Sequence, residues 1–384
     1  MIILRSLTSG YKYLEATNTI RYHGLDALRG LAMLLGIVLH AALPYMPGLE
    51  WFWPADKDSS HAIWFLEVFI HSWRMPLFFI VSGFFTHLVI SRRSWKYWWK
   101  NRALRIGLPI VIFTPIIGLT LPWIFDFGWK GELKFFYSNE NQPWHLWFLW
   151  HLLIFTVASL LFVPVSRLKL GFISTASSKI TKLFAKFVFQ SRFPIVFILL
   201  MVILTIESGA ELIINPVATA LYFGLGFSLF KNQNLIQSLK NNWIYYLLSC
   251  IPIFVILMIF TRMTLGWGWD DPRWETWGLP VTIVKVAPGI LFSYALIGLA
   301  ESKLTQPNAI MRFISDSAYW VYLIHLPIVA FITFYMFRFS WPAEIKFILS
   351  VALTTVICLV TYKYLVRSTY IGTLLNGRRY PFKP

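Results

Sequence analysis

The sequence predicts an all-α, polytopic integral membrane protein of about ten transmembrane helices, on three observations. Of its 384 residues 57% are hydrophobic and only 13% are charged, roughly half the charged share of an ordinary soluble domain. The apolar residues come in runs near the ~20 that a bilayer-spanning helix needs. The cations gather in alternate connections between those runs, as the positive-inside rule requires.

Ten runs read as spans: 25–47, 61–90, 106–127, 143–166, 193–211, 213–230, 241–262, 278–300, 314–337 and 345–366. The fifth and sixth are separated only by Glu211 to Pro216. With a cytoplasmic N-terminus, the inner connections hold Arg92, Arg93, Lys96, Lys100, Arg102 and Arg105, then Arg167 to Arg192, then Lys363, Arg367, Arg378, Arg379 and Lys383. The outer ones hold far fewer cations and collect Asp56, Asp58, Asp126, Asp270 and Asp271. An even number of spans with both termini in the cytoplasm satisfies that asymmetry. No internal repeat, low-complexity tract or appended soluble domain breaks the pattern, so residues 1–384 read as one transmembrane domain.

The same composition excludes other classes. A net charge of +17 is orientation signal in such a chain, and with no nucleic-acid motif beside it no nucleic-acid partner is expected. Membrane lipids are: the basic stretch from Arg167 to Arg192 suits anionic headgroups. Cys250 and Cys358 are isolated in apolar runs, and no His and carboxylate set has ligand spacing, so neither a disulfide framework nor a metal site is predicted. A cleaved signal peptide is a poor account of the first run, because Asp26 and Arg29 interrupt its start.

Chemistry is expected where ionisable groups enter apolar runs, since such groups are expensive in a bilayer. In LDALRGLAMLLGIVLH, Asp26, Arg29, Met33, Gly36 and His40 recur at steps of three or four and share one helix face. Arg29 and His40 then lie about 16 Å apart along one stripe, with Asp26 placed to hold Arg29. In FIHSWRMPLFFIVSGFF, His71 and Arg74 are neighbours three residues apart, Pro76 loosens the backbone, and Ser82 with Gly83 permits a close helix crossing. Arg102 and Arg105 share a face just before the third span, where guanidinium forks suit phosphate oxygens as well as orientation. PWHLWFLWHLL puts His145 at an interface and His151 deeper, and SAYWVYLIHLP sets Tyr322 three residues before His325 within the ninth span. Lys285 is a further charge in the eighth, with Glu275 or Asp271 as possible partners. The Trp-rich loop Gly266 to Gly278 fits either an interface anchor or a sugar contact.

These stretches resemble the membrane acyltransferase-3 family, whose opening signature is an Asp followed by Arg-x10-His; here those are Asp26, Arg29 and His40. FFIVSGFF, the Arg102-x-x-Arg105 pair and SAYWVYLIH agree, in order, along nearly the whole chain. IHSWRMPLFFIVSGFF and HLWFLWHLL are similar to the branch typified by a periplasmic-glucan succinyltransferase. The resemblance implies a bacterial inner-membrane enzyme that moves an acyl group, acetyl or succinyl, from cytoplasmic acyl-CoA to a hydroxyl of a glycan or glycolipid on the far side. It implies donor contacts at Asp26, Arg29, Arg102 and Arg105, His40 as general base, and His71, Arg74 or His325 orienting it or stabilising the oxyanion. The competing expectation is a non-enzymatic flippase or carrier for a lipid-linked sugar, which predicts matching broken helices in two halves.

Overall fold

The computed structural model describes residues 22–48, 50, 52–138, 144–167, 194–208, 215–265, 267, 271–377 and 380–381, and these form helices and turns with no strand. Helix α1 (His23–Ala42) ends in a 3-10 turn (Leu43–Tyr45) and an irregular loop that leads to α2 (His61–Arg92). Helix α3 (Trp95–Arg102) passes through a π turn (Ala103–Gly107) into α4 (Leu108–Lys130), and a 3-10 turn (Trp144–Leu146) opens α5 (Trp147–Arg167). There follow α6 (Ile195–Ser208), α7 (Pro216–Lys231), α8 (Gln233–Met263), α9 (Arg273–Lys303), α10 (Ala309–Met336) and α11 (Ala343–Thr361). A second π turn (Tyr362–Val366) precedes the short α12 (Tyr370–Asn376).

Each of the ten predicted runs contains a described helix, but the count of about ten spans is not confirmed. Among the described residues seven helices are long and apolar enough to cross a membrane: His23–Tyr45, His61–Arg92, Trp95–Lys130, Asn234–Met263, Arg273–Lys303, Ala309–Met336 and Ala343–Val366. The apolar part of α5, Trp144–Leu160, is shorter, and α6 and α7 have 14 and 16 residues. At 1.5 Å per residue α7 reaches about 24 Å, short of a ~30 Å hydrocarbon core, while residues 209–214, which follow α6, lie outside the described ones. A hydropathy window sums apolarity without sensing where a helix stops. Asn215 fixes the start of α7, where its side chain accepts the Val217 and Ala218 N–H groups at 2.9 and 3.3 Å. The residues before Tyr22 and nearly all of Arg167 to Arg192, on which the side of the N-terminus and the lipid contact partly rest, lie outside the described residues.

The surface agrees with a lipid setting. Ile244, Leu248, Ile251, Val255 and Ile259 stand exposed at helical spacing along α8, as do Ile345, Ile348, Val356 and Val360 along α11. At about 25 cal/mol per Å², such stripes would be costly in water and are at home in a bilayer. Lys285 lies on the exposed side of α9, and Asp271 bonds its own neighbour Arg273 at 2.5 Å, which draws that carboxyl down to about 2.

Inside, α1 is the axis, packed against α2, α9, α10 and α11. Its first turn would leave N–H groups unpaired. The Glu301 carboxylate of α9 accepts the Leu25 N–H at 3.0 Å, an anion placed favourably for the helix dipole. Gly24 allows that approach, since a Cβ there would lie 2.5 Å from the Ala300 carbonyl. The predicted close crossing at Gly83 is present. A Cβ on Gly83 would fall 1.9 Å from the Phe223 carbonyl, and one on Gly226 would fall 1.7 Å from the Ile80 carbonyl, so α2 and α7 touch backbone to backbone.

The loop between α1 and α2 is pinned by a buried ion pair. Lys346 Nζ of α11 lies 2.6 and 2.8 Å from the two oxygens of Asp56 and 3.4 Å from Asp58, and both the Lys346 and Asp56 side chains are fully buried. Ser60 Oγ donates to Glu344 at 2.5 Å beside it. This clamp holds the loop over the end of α1 and sets the position of Trp53.

Candidate active site

Four elements bring an imidazole or a guanidinium to the same point. On α1, Gly36 leaves room for Arg74 of α2 and His325 of α10. The place its Cβ would take is 2.8 Å from Arg74 Nη1 and 3.3 Å from His325 Nε2. One turn further on, the His40 ring is centred 5.3 Å from His325, which in turn is 5.0 Å from His145 in the turn before α5. Trp53, from the pinned loop, stacks on His40 at 6.0 Å with 16° between the planes and closes the cluster on that side. Trp53, His145 and His325 are buried.

Backbone bonds fix which nitrogens carry protons. A carbonyl can only accept, so His325 Nδ1, 2.9 Å from the Tyr322 carbonyl, is the protonated nitrogen and its lone pair is on Nε2. By the same reasoning His145 donates from Nε2 to that carbonyl at 2.9 Å and keeps its lone pair on Nδ1. The Tyr322 hydroxyl donates back to the His145 carbonyl at 2.6 Å. Among the described residues, His40 Nδ1, His325 Nε2, His145 Nδ1, Arg74 Nε and Trp53 Nε1 are buried without a hydrogen-bond partner. Buried polar atoms are normally satisfied. Five unsatisfied ones belong to residues of this one cluster and give it polar groups able to bond a guest.

A second cluster lies at the start of α1. Asp26 Oδ1 sits 3.3 Å from Arg29 Nη2, the predicted pairing, and the Arg29 guanidinium packs over the Phe85 ring at 5.1 Å. Arg102 is in electrostatic range of both Arg105 and Arg29, and its guanidinium lies over Trp98 at 5.9 Å. The π turn that carries Arg105 is held where it is by α10, since the Tyr319 hydroxyl donates to the Arg105 carbonyl. Inserted π turns of this kind gather at functional sites. Beside Arg102 is a narrow crevice between α2, α3, α5 and α7, lined by Ser82, Thr86, Trp98 and Thr156 among others. The three arginines predicted to act together are therefore gathered at one end of the bundle, with His40 farther along the same helix.

Not every sequence candidate joins these clusters in the same way. His71 is half exposed, and its Nδ1 lies 3.1 Å from Glu67 Oε1 rather than in the histidine cluster, although it remains in electrostatic range of His40. Its partner Glu67 is buried and within electrostatic range of Arg74. His151 bonds Thr219 Oγ1 at 3.0 Å and serves packing between α5 and α7. His145, read as interfacial, is the histidine of that stretch that enters the cluster. Trp53, His145 and Glu67 were missed as site residues. Glu67 was legible as a lone acid in an apolar run, whereas nothing local marks Trp53. No group of three or more His, Cys, Asp or Glu able to hold a metal occurs among the described residues.

Residues 22–363 match the sequence family described as an acyltransferase domain, acyltransferase-3. The chain belongs to that family. Two relatives, from Salmonella typhi and Salmonella typhimurium, are each 24% identical over 379 residues, covering 93% of this chain and 95% of theirs. Both are named glucans biosynthesis protein C. No solved structure matches the chain. This acyltransferase is thus a multi-pass membrane enzyme, and the carrier alternative loses its ground.

Proposed function

We propose that this acyltransferase moves an acyl group, acetyl or succinyl, from cytoplasmic acyl-CoA to a hydroxyl of a periplasmic or cell-surface glycan across a bacterial inner membrane. The observation that carries the proposal is the run along one face of α1, from the guanidinium cluster at Arg29 to the imidazole cluster at His40. Both termini are cytoplasmic in this reading, which puts Arg29, Arg102 and Arg105 on the donor side. Charge-assisted forks from these residues bind the CoA phosphates, and Asp26 orients Arg29. The pantetheine arm runs along α1 and brings the thioester carbonyl to Arg74.

At that point His40 accepts the proton of the glycan hydroxyl while its oxygen bonds to the thioester carbon. The Arg74 guanidinium stabilises the charge that develops on the carbonyl oxygen, as preorganised donors do. The C–S bond then breaks, and the imidazolium returns its proton to the departing thiolate. His325, with its proton fixed on Nδ1, orients the His40 ring beside it, and Glu67 holds His71 by its Nδ1. Two relatives named for glucan biosynthesis favour a glucan acceptor.

The test is His40→Ala in the full chain, reconstituted in liposomes with labelled acyl-CoA and soluble glucan oligosaccharides. General-base removal should lower transfer by about 10²- to 10⁴-fold with the chain still folded. Full transfer by a folded variant would overturn the assignment of the base.

A further inference from the structure

At the Trp53 end of the bundle a separate cleft of about 300 Å³ opens beside the cluster, lined by Pro122, Phe125, Asp126 and Trp129 of α4 together with Phe136 and Trp144. Its size is at the lower limit for small-molecule sites. Phe125 joins it to the histidines, because that ring lies 4.7 Å from Trp53, which stacks on His40. On its other side Phe125 meets Trp144 at 5.3 Å.

Three features separate this cleft from an ordinary aromatic belt, whose rings face lipid headgroups from a convex wall. The rings of Trp129, Trp144 and Phe136 line a concavity. A carboxylate stands among them, Asp126, with Lys130 Nζ 2.6 Å from its Oδ1. Trp144 is held at φ +44°, the only non-glycine residue with positive φ among the described residues, and its buried indole N–H has no partner there. A bulky side chain in the left-handed region is strained, and such strain collects where geometry serves function.

We infer that this cleft binds one pyranose unit of the acceptor glycan, next to the unit that is acylated. Sugar C–H faces lie on the Trp129 and Trp144 rings, and sugar hydroxyls bond Asp126, Lys130 and the Trp144 indole N–H. A charged or purely apolar guest satisfies only part of that lining, whereas a neutral polyhydroxylated ring with one apolar face satisfies all of it. Trp53 and Phe125 then form the wall between the bound unit and His40. The inference rests on the proposed acyl transfer to glycan and adds to it the place where the chain of sugars is held.

The experiment uses Trp129→Ala and, separately, Asp126→Asn in the full chain in liposomes, with acyl-CoA and glucan oligosaccharides of graded length. Trp129 is half exposed at the end of its helix, so its truncation leaves the fold intact. KM for the glucan should rise about tenfold for oligosaccharides long enough to reach the cleft, as for loss of an aromatic contact, and much less for the shortest acceptor. KM for acyl-CoA should stay at its wild-type value, which a general structural defect would not allow. An unchanged glucan KM in both variants overturns the inference and leaves acyl transfer standing. Failure of the wild-type protein to acylate any glucan overturns the proposed function and the inference with it.

Discussion

Replacing Gly36 by alanine adds one methyl group at the point where α1, α2 and α10 meet. That methyl would lie 2.8 Å from Arg74 Nη1 and 3.3 Å from His325 Nε2, where ordinary contact begins at 3.4 Å. The imidazole needs to give almost nothing. The guanidinium must retreat by at least 0.6 Å, the difference between 3.4 and 2.8 Å. In a site where a misplacement of about 1 Å costs roughly 10²-fold, that retreat should lower acyl-transfer kcat by about 10- to 100-fold.

Stability moves far less. Alanine is favoured over glycine in a helix by about 1 kcal/mol, and overpacking costs about 1–3 kcal/mol, so the variant should lose no more than about 2 kcal/mol. Gly278→Ala is the control, since nothing lies within 4 Å of the Cβ it would gain. The assay is labelled acyl transfer to glucan in liposomes, paired with thermal unfolding of both variants in detergent. Wild-type turnover by a folded Gly36→Ala protein would show that Arg74 does not touch the reacting carbonyl.

Arg29→Ala should raise KM for acyl-CoA about 10- to 100-fold, the worth of a charge-assisted hydrogen bond, with a smaller dependence of that KM on salt than in the wild type; donor titrations at two ionic strengths check it. Lys346→Met strands the buried Asp56 carboxylate and should destabilise the chain by about 3–5 kcal/mol, while Lys346→Met with Asp56→Asn recovers part of the loss in thermal melts. Gly226→Ala would drive a methyl group into the Ile80 carbonyl, which cannot swing aside as a side chain does, and should lower the yield of folded protein in size-exclusion profiles well beyond Gly278→Ala.

The helical spacing of Asp26, Arg29, Gly36 and His40 made one wall of the site legible, because periodicity within a helix is a local property. Arg74, Arg102 and His325 were legible for the related reason that charge or imidazole within an apolar run needs a cause. The remainder depends on contacts between distant parts of the chain. Asp56 and Lys346 are separated by 290 positions, and neither signals the other. Trp53 is placed by that clamp, so its stacking on His40 could not be read from the sequence. His145 looked like one more residue in an aromatic belt, and only the bonds to Tyr322 bring it inward. The start of α7 is set by its Asn215 cap, which hydropathy does not sense, and the count of about ten spans is not confirmed among the described residues.

One carbonyl, that of Tyr322, accepts a hydrogen bond from each of two imidazoles on different elements. The protonation pattern of the pair is thereby written into main chain rather than into any side chain. Trimming the Tyr322 phenol would loosen the turn before α5 yet leave both rings in the same tautomeric form. Moving α10 by a fraction of an ångström would disturb the two together.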